Sequence, residues 1–158
     1  MLSEDLFWIE RCLSLAEDSI LSKEAPFSSL ITRDNTLLVE SKNGASKRIS
    51  DHAEVLVLDM AHQATGSHNL SDCTLYTICE PCPMCSFMIR EYKIQRVVFS
   101  LYSPFMGGFS KWQVLQDPEI TQFEKYFGPV PEVVGGILEE KSKKIFMDFG
   151  LWMFGSTV

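Results

Sequence analysis

The 158-residue sequence has no apolar run approaching the length of a membrane span, so no membrane partner is expected. It also lacks a basic stripe. The formal net charge is −7, and the short basic clusters "SKNGASKR" (41–48) and "KSKK" (141–144) read as solvated surface. A broad face for holding a polyphosphate chain is therefore not expected. There is no internal repeat, low-complexity tract or charged linker, which points to one domain over 1–158, long enough to bury a core. The opening "MLSEDLFWIE" carries acids where a secretory signal would carry bases, and a cytoplasmic location is the expectation. Cysteine is scarce and odd in number, five in all, yet three fall within residues 79–85. A disulfide framework would spread an even number along the chain. Crowding in a reducing compartment points instead to metal or redox chemistry.

What remains is ordinary for a globular chain, with 46% hydrophobic and 22% charged residues. Leu6, Ile9, Leu13, Ala16 and Ile20 recur at helical spacing, predicting a first helix from about Ser3 to Ser22 with Glu4 and Asp5 at the positive end of its dipole. Two strands, about 27–33 and 36–42, flank Asp34-Asn35, which suits a tight turn. "HAEVLVLDMAHQA" predicts a second helix capped by Ser50 or Asp51, and "CTLYTI" a third strand over 73–78. Pro83 suits the first turn of a third helix. A fourth strand follows at 96–102, a short fifth at 132–134, and a last helix from about Ile137. Helix, hairpin, then alternating helix and strand imply an α/β fold with helices on both faces of a mixed sheet.

Two stretches carry chemistry. "DHAEVLVLDM" sets His52 and Glu54 at the head of one helix, and "EPCPMC" sets Cys82 and Cys85 at the head of another. Zn²⁺ favours four tetrahedral ligands drawn from thiolate, imidazole and carboxylate, and a catalytic site leaves one position for water. Cys82 at a helix start and Cys85 in the first turn can direct both sulfurs to one point, where the dipole favours thiolate. His52 can supply the third ligand, leaving the fourth position open. Glu54 beside a bound water can take its proton, whereas a purely structural site would have no use for that group. Two other chemistries suit the same residues less well. A redox pair lacks a unique partner, since Cys79, Cys82 and Cys85 overlap. A ferredoxin pattern wants Cys and Pro where Ile89 and Arg90 stand. Cys12, Cys73 and Cys79 read as buried apolar residues, and His62 and His68 as helix surface and loop.

The pair H-x-E and P-C-x-x-C is the signature of zinc nucleobase deaminases. "HAE" at 52–54 and "PCPMC" at 81–85 match it in full, and the chain resembles the cytidine deaminase-like superfamily. "LYTICEPCPMC" (75–85) is similar to the branch of guanine deaminases and bacterial tRNA adenosine deaminases. "EAPFSSLIT", "SKNGASKRISDHAE" and "EVVGGILEEKSKKIFMDF" extend the likeness over nearly the whole chain. The resemblance implies a three-layer α/β/α sandwich with a five-stranded mixed sheet. It implies Zn²⁺ on His52, Cys82 and Cys85, with Glu54 as proton shuttle. Asn43 would hydrogen-bond the substrate base, Phe27 would line its pocket, and the backbone near Ala53 would help orient the ring. It also implies a homodimer, which the apolar cluster Phe146, Phe149, Trp152, Met153 and Phe154 near the chain end would suit. Two features depart from that branch: Ser28-Ser29 replaces a small Gly-Ala pair, and the end "FMDFGLWMF" lacks the basic cluster of the tRNA enzymes. The loop 103–112 reads as a pocket wall or gate, or more soberly as a glycine-containing loop with Phe105 and Trp112 packed inward.

Three functions compete. The first is deamination of a free nucleobase, nucleoside or similar amino-heterocycle, which the acidic charge and the non-basic tail favour. Adenosine-to-inosine editing of tRNA ranks second, because it asks for a basic groove. A non-catalytic zinc-stabilised binding module ranks third, because Glu54 would have no task in it.

Overall fold

A computed structural model describes residues 3–151 of the chain. The elements run α1 (Ser3–Leu21), β1 (Ser28–Arg33), β2 (Thr36–Lys42), α2 (Ala53–Thr65), β3 (Cys73–Cys79), α3 (Pro83–Glu91), β4 (Arg96–Leu101), β5 (Glu132–Val134) and α4 (Glu139–Phe149), with a short 3₁₀ turn at Glu119–Phe123. The five strands form one sheet in the order β2-β1-β3-β4-β5. β1 pairs antiparallel with β2 and β3, whereas β3–β4 and β4–β5 are parallel. The sheet is mixed because a tight hairpin can join only antiparallel neighbours, while α3 carries the chain between parallel ones. Asp34 and Asn35 make the hairpin turn with φ of 49° and 55°. Two positive φ values match the right-handed twist of the strands, and Asp and Asn tolerate them better than most residues do.

Alternation along the strands assigns the two faces. Leu30, Tyr76, Ile78 and Val98 pack with Ile9, Cys12, Ala16 and Phe146 under α1 and α4. Their sequence neighbours Ile31, Leu75 and Val97 point the other way, into a second core with Val57, Leu58 and Ala61 of α2 and Ile89 of α3. Central strands buried on both faces need a near-continuous apolar run, which β3 and β4 supply. The layers are therefore α1/α4, sheet, α2/α3. Among the described residues no helix is long and apolar enough to cross a membrane.

Four local expectations are corrected. His52 itself occupies the cap position of α2, with no side-chain cap bond, in place of Ser50 or Asp51. A His there keeps its ring free to turn toward α3. The last helix begins at Glu139, because Leu138 takes a left-handed conformation and cannot continue a helix backwards to Ile137. Phe105 and Trp112 point outward, 52% and 58% exposed, since the loop that carries them folds around a polar group. Asp5 does more than favour the helix dipole: it is fully buried, with its oxygens 2.8 and 3.0 Å from Arg96 and 3.1 Å from the Tyr76 hydroxyl. Of the apolar cluster near the chain end, Phe146 is buried in the first core and Phe149 is partly exposed. Trp152, Met153 and Phe154 lie outside the described residues.

Candidate active site

Two helix starts meet beside the end of β3. His52 precedes the first turn of α2. Cys82 caps α3 in an extended conformation, Pro83 opens that helix, and Cys85 follows one turn in. Pro suits this position because its missing N–H has no helical partner to lose. The three donor atoms converge. Cys82 Sγ and Cys85 Sγ are 3.6 Å apart, and His52 Nδ1 lies 3.6 and 3.5 Å from them. Tetrahedral ligation at Zn–S of about 2.3 Å and Zn–N of about 2.05 Å requires edges of about 3.8 Å between sulfurs and about 3.6 Å between nitrogen and sulfur. The triangle therefore fits zinc with no rearrangement of the backbone.

Electrostatics agree with the geometry. A hydrogen bond from the Cys85 thiol holds the Cys82 thiol down at about 4; burial opposes this, and His52 adds to it. The same contact and burial beside Cys82 and Glu54 push the Cys85 thiol up. A thiolate paired with a thiol that shares its proton is a site in which a divalent cation can replace the proton. His52 is raised from its ordinary value, chiefly by its contact with Cys82.

Glu54 is buried in the first turn of α2, with Oε2 3.7 Å from Cys85 Sγ. Burial is the main cause that raises its pKa, so the protonated form is favoured beyond the ordinary carboxyl range. The Thr77 hydroxyl lies 2.9 Å from Glu54 Oε1 and 3.2 Å from the Ser28 carbonyl. A hydroxyl both donates and accepts. Thr77 can donate to ionised Glu54, or accept from protonated Glu54 while donating to Ser28. The carboxyl group is thus partnered in both states.

These groups open onto a cavity of about 290 Å³, mostly apolar, lined among others by Phe27, Asn43, His52, Glu54, Cys79 and Met106. Asn43 Nδ2 donates to Glu24 Oε2 at 3.2 Å, and its Oδ1 accepts from Ala45 N at 3.3 Å. One N–H and one lone pair of the amide remain for a ligand. Phe27 packs edge-on against Phe146 at 5.1 Å and presents part of its surface to the cavity. Ala53 is fully buried at the start of α2, and its side chain is not among those lining the cavity. Cys79 ends β3 at the cavity wall, and burial holds its thiol well above the ordinary range. Cys12 and Cys73 are buried, and all five cysteines are unpaired. His62 and His68 stack at 4.0 Å, away from the donor cluster.

Sequence reasoning missed Thr77, Glu24, Ser103, Met106 and the role of Glu80 in this neighbourhood. Thr77, Glu24, Ser103 and Met106 join the metal-donor residues only through contacts between segments apart in the chain. The one signal available was the pair Glu80-Pro81 directly before the cysteines.

The model of the cytidine and deoxycytidylate deaminase zinc-binding region matches residues 2–101. A tRNA-specific adenosine deaminase of Bacillus subtilis (strain 168) is 30% identical over 144 residues, covering 89% of this chain and 84% of that one. Guanine deaminase of the same organism is 36% identical over 81 residues, 49% of this chain and 52% of that one. A solved structure from a study of tRNA:A34 deaminases superposes with a TM-score of 0.77 at 26% identity, over 86% of this chain and 96% of that one. With the His-Cys-Cys triangle spaced for zinc and the family model spanning most of the chain, this protein belongs to the cytidine and deoxycytidylate deaminase zinc-binding family and is a zinc-dependent hydrolytic deaminase.

Proposed function

We propose that the chain, as a single domain, deaminates a free nucleobase, nucleoside or related amino-heterocycle, in the manner of a guanine deaminase. The observation that carries this reading is the cavity: about 290 Å³, largely apolar, with the amide of Asn43 in its lining held by Glu24. That volume suits one ring system.

In this reading His52, Cys82 and Cys85 hold zinc, which when bound supplies a Lewis acid that makes water nucleophilic near neutrality. Glu54 takes a proton from the attacking water and delivers it to the ring nitrogen. The water oxygen bonds to the amine-bearing carbon, Glu54 passes the second proton to the amino group, the carbon–nitrogen bond breaks, and ammonia leaves. Thr77 keeps Glu54 hydrogen-bonded through both states. Asn43 pairs with the ring edge, Phe27 walls the ring, and the backbone near Ala53 helps to orient it.

A second reading, adenosine-to-inosine editing of tRNA, is favoured by one observation. The sequence likeness to the tRNA adenosine deaminase of Bacillus subtilis extends over 89% of this chain, whereas that to the guanine deaminase of the same organism covers 49%. A homodimer belongs to the same proposal, supported by the exposed apolar side chains Met84 and Phe87 on α3. So does a cytoplasmic location, supported by five unpaired cysteines.

The test is ammonia release from a panel of amino-purines, amino-pyrimidines, their nucleosides and a tRNA anticodon stem-loop, at low and high salt. A small-molecule substrate turned over equally at both salts is the expected result. Asn43→Ala should lower kcat/KM for it by about 100-fold with zinc retained, since a buried ring edge loses its partner. Turnover of the stem-loop alone, falling steeply with salt, reverses the ranking.

A further inference from the structure

We infer that Glu80 positions the wall of the substrate pocket carried by Ser103 and Met106, and through that wall selects which rings are accepted. This rests on the reading of the cavity as a substrate pocket. Glu80 stands between the end of β3 and Cys82, is 3% exposed, and lines the cavity, yet it lies outside the metal-donor cluster. Its carboxyl oxygens instead accept four hydrogen bonds from one short segment. Oε2 accepts from Ser103 N at 2.8 Å and Ser110 Oγ at 2.9 Å. Oε1 accepts from Phe109 N at 3.0 Å and Ser110 N at 2.6 Å. Four donors come close to saturating a carboxyl group that offers only acceptors when ionised.

These donors sit on either side of the apex that carries Met106. The segment 103–110 therefore closes around Glu80 as around a peg. Ser103 and Met106 then face the cavity. Phe105 and Met106 at the apex are 52% and 51% exposed. Further ties run to the same corner: Gly108 N donates to Pro81 O at 2.7 Å, and Met106 N to Ser103 Oγ at 3.3 Å. Gly107 lies against the same group: a Cβ there would overlap the carboxyl group of Glu80 and force it to shift. Glycine at 107 and glutamate at 80 are thus two halves of one device, in which the residues leading into the zinc motif also set the opposite wall.

The experiment compares Glu80→Gln and Gly107→Ala with the wild-type zinc protein. One variant removes acceptor capacity from the peg and the other displaces it. Amide hydrogen exchange is read at Ser103, Phe109 and Ser110, and kcat and KM on the panel of small amines and the stem-loop. Both variants should retain zinc. Exchange at the three amides should rise by about 10-fold or more. KM for the preferred substrate should rise about 10-fold with kcat within about threefold, and the preference over the next best substrate should narrow about fivefold. In a Glu80→Ala background, adding Gly107→Ala should change nothing further, since the colliding group is gone. Met106→Ala, which leaves the Glu80 bonds alone, should shift substrate preference by about fivefold even if the other variants fail to fold.

Faster exchange with unchanged KM and preference would reduce Glu80 to a loop staple and overturn the inference. Loss of zinc from Glu80→Gln, or an unmoved preference in Met106→Ala, overturns it as well. Wild-type turnover confined to the stem-loop defeats the small-molecule reading instead, and the Glu80 comparison is then decided by KM on that stem-loop.

Discussion

The metal corner and the β4–β5 connection solve opposite problems with the same helix. At its N-terminal end α3 gathers Cys82 and Cys85 within one turn, and their partner His52 heads α2. Local geometry does most of that work. The connection, residues 102–131, contains only a single 3₁₀ turn, and its backbone groups must find partners elsewhere. Two buried polar side chains serve it. Glu80, just before α3, accepts from N–H groups of the first part. Arg90, in the last turn of α3 and fully buried, donates to carbonyls of the second: Nη1 to Val114 O at 3.0 Å and Asp117 O at 2.8 Å, Nη2 to Gly128 O at 3.4 Å and the Thr121 hydroxyl at 3.0 Å. Burial lowers the pKa of Arg90 from its ordinary value, with Asp117 opposing, and among the described residues no carboxyl group lies within ion-pair distance of it. A carboxyl group suits unpaired donors and a guanidinium suits unpaired acceptors, so one side chain just before α3 and one in its last turn organise a long irregular segment.

The largest effect should come from the metal corner. Replacing Cys82 and Cys85 together with Ala should remove zinc, abolish turnover and lower the melting temperature, because metal binding contributes folding free energy. Metal analysis and calorimetry decide this, and full zinc occupancy in the double variant would sink the ligand assignment. Glu54→Gln should lower kcat by about 1,000-fold or more while zinc and fold persist, since only proton transfer is lost. A parallel loss of zinc would make Glu54 a ligand and redraw the corner. The connection should respond differently. Arg90→Met should cost about 3 kcal/mol of stability by leaving several carbonyls unpaired, offset in part by removal of a buried charge. Zinc content should be unchanged. A denaturation midpoint equal to wild type would mean that burying the guanidinium costs as much as its bonds return.

The strands, helices and sheet layers were legible because periodicity reports burial directly. Residues 30 and 31, or 97 and 98, alternate faces as any half-turned strand must. The donor set His52, Cys82 and Cys85 was legible because ligands at a helix start and one turn in are close in sequence as well as in space. The less visible features share one property: their partners are remote. Asp5 read as a dipole acid until Arg96 and Tyr76 closed on it. Phe105 and Trp112 read as packed inward on a glycine-containing loop, and both stand more than half exposed where that loop bonds to Glu80.

By itself, then, the sequence determined the α/β layering, the hairpin and the zinc chemistry, since each follows from spacing along a helix or strand. Tertiary structure alone decided what surrounds that chemistry: Thr77 beneath Glu54, Glu24 behind Asn43, and Glu80 inside the 103–110 loop. Hydrogen bonds between residues far apart in the chain leave no periodic trace. A buried polar side chain takes its meaning from the group that folding brings to it.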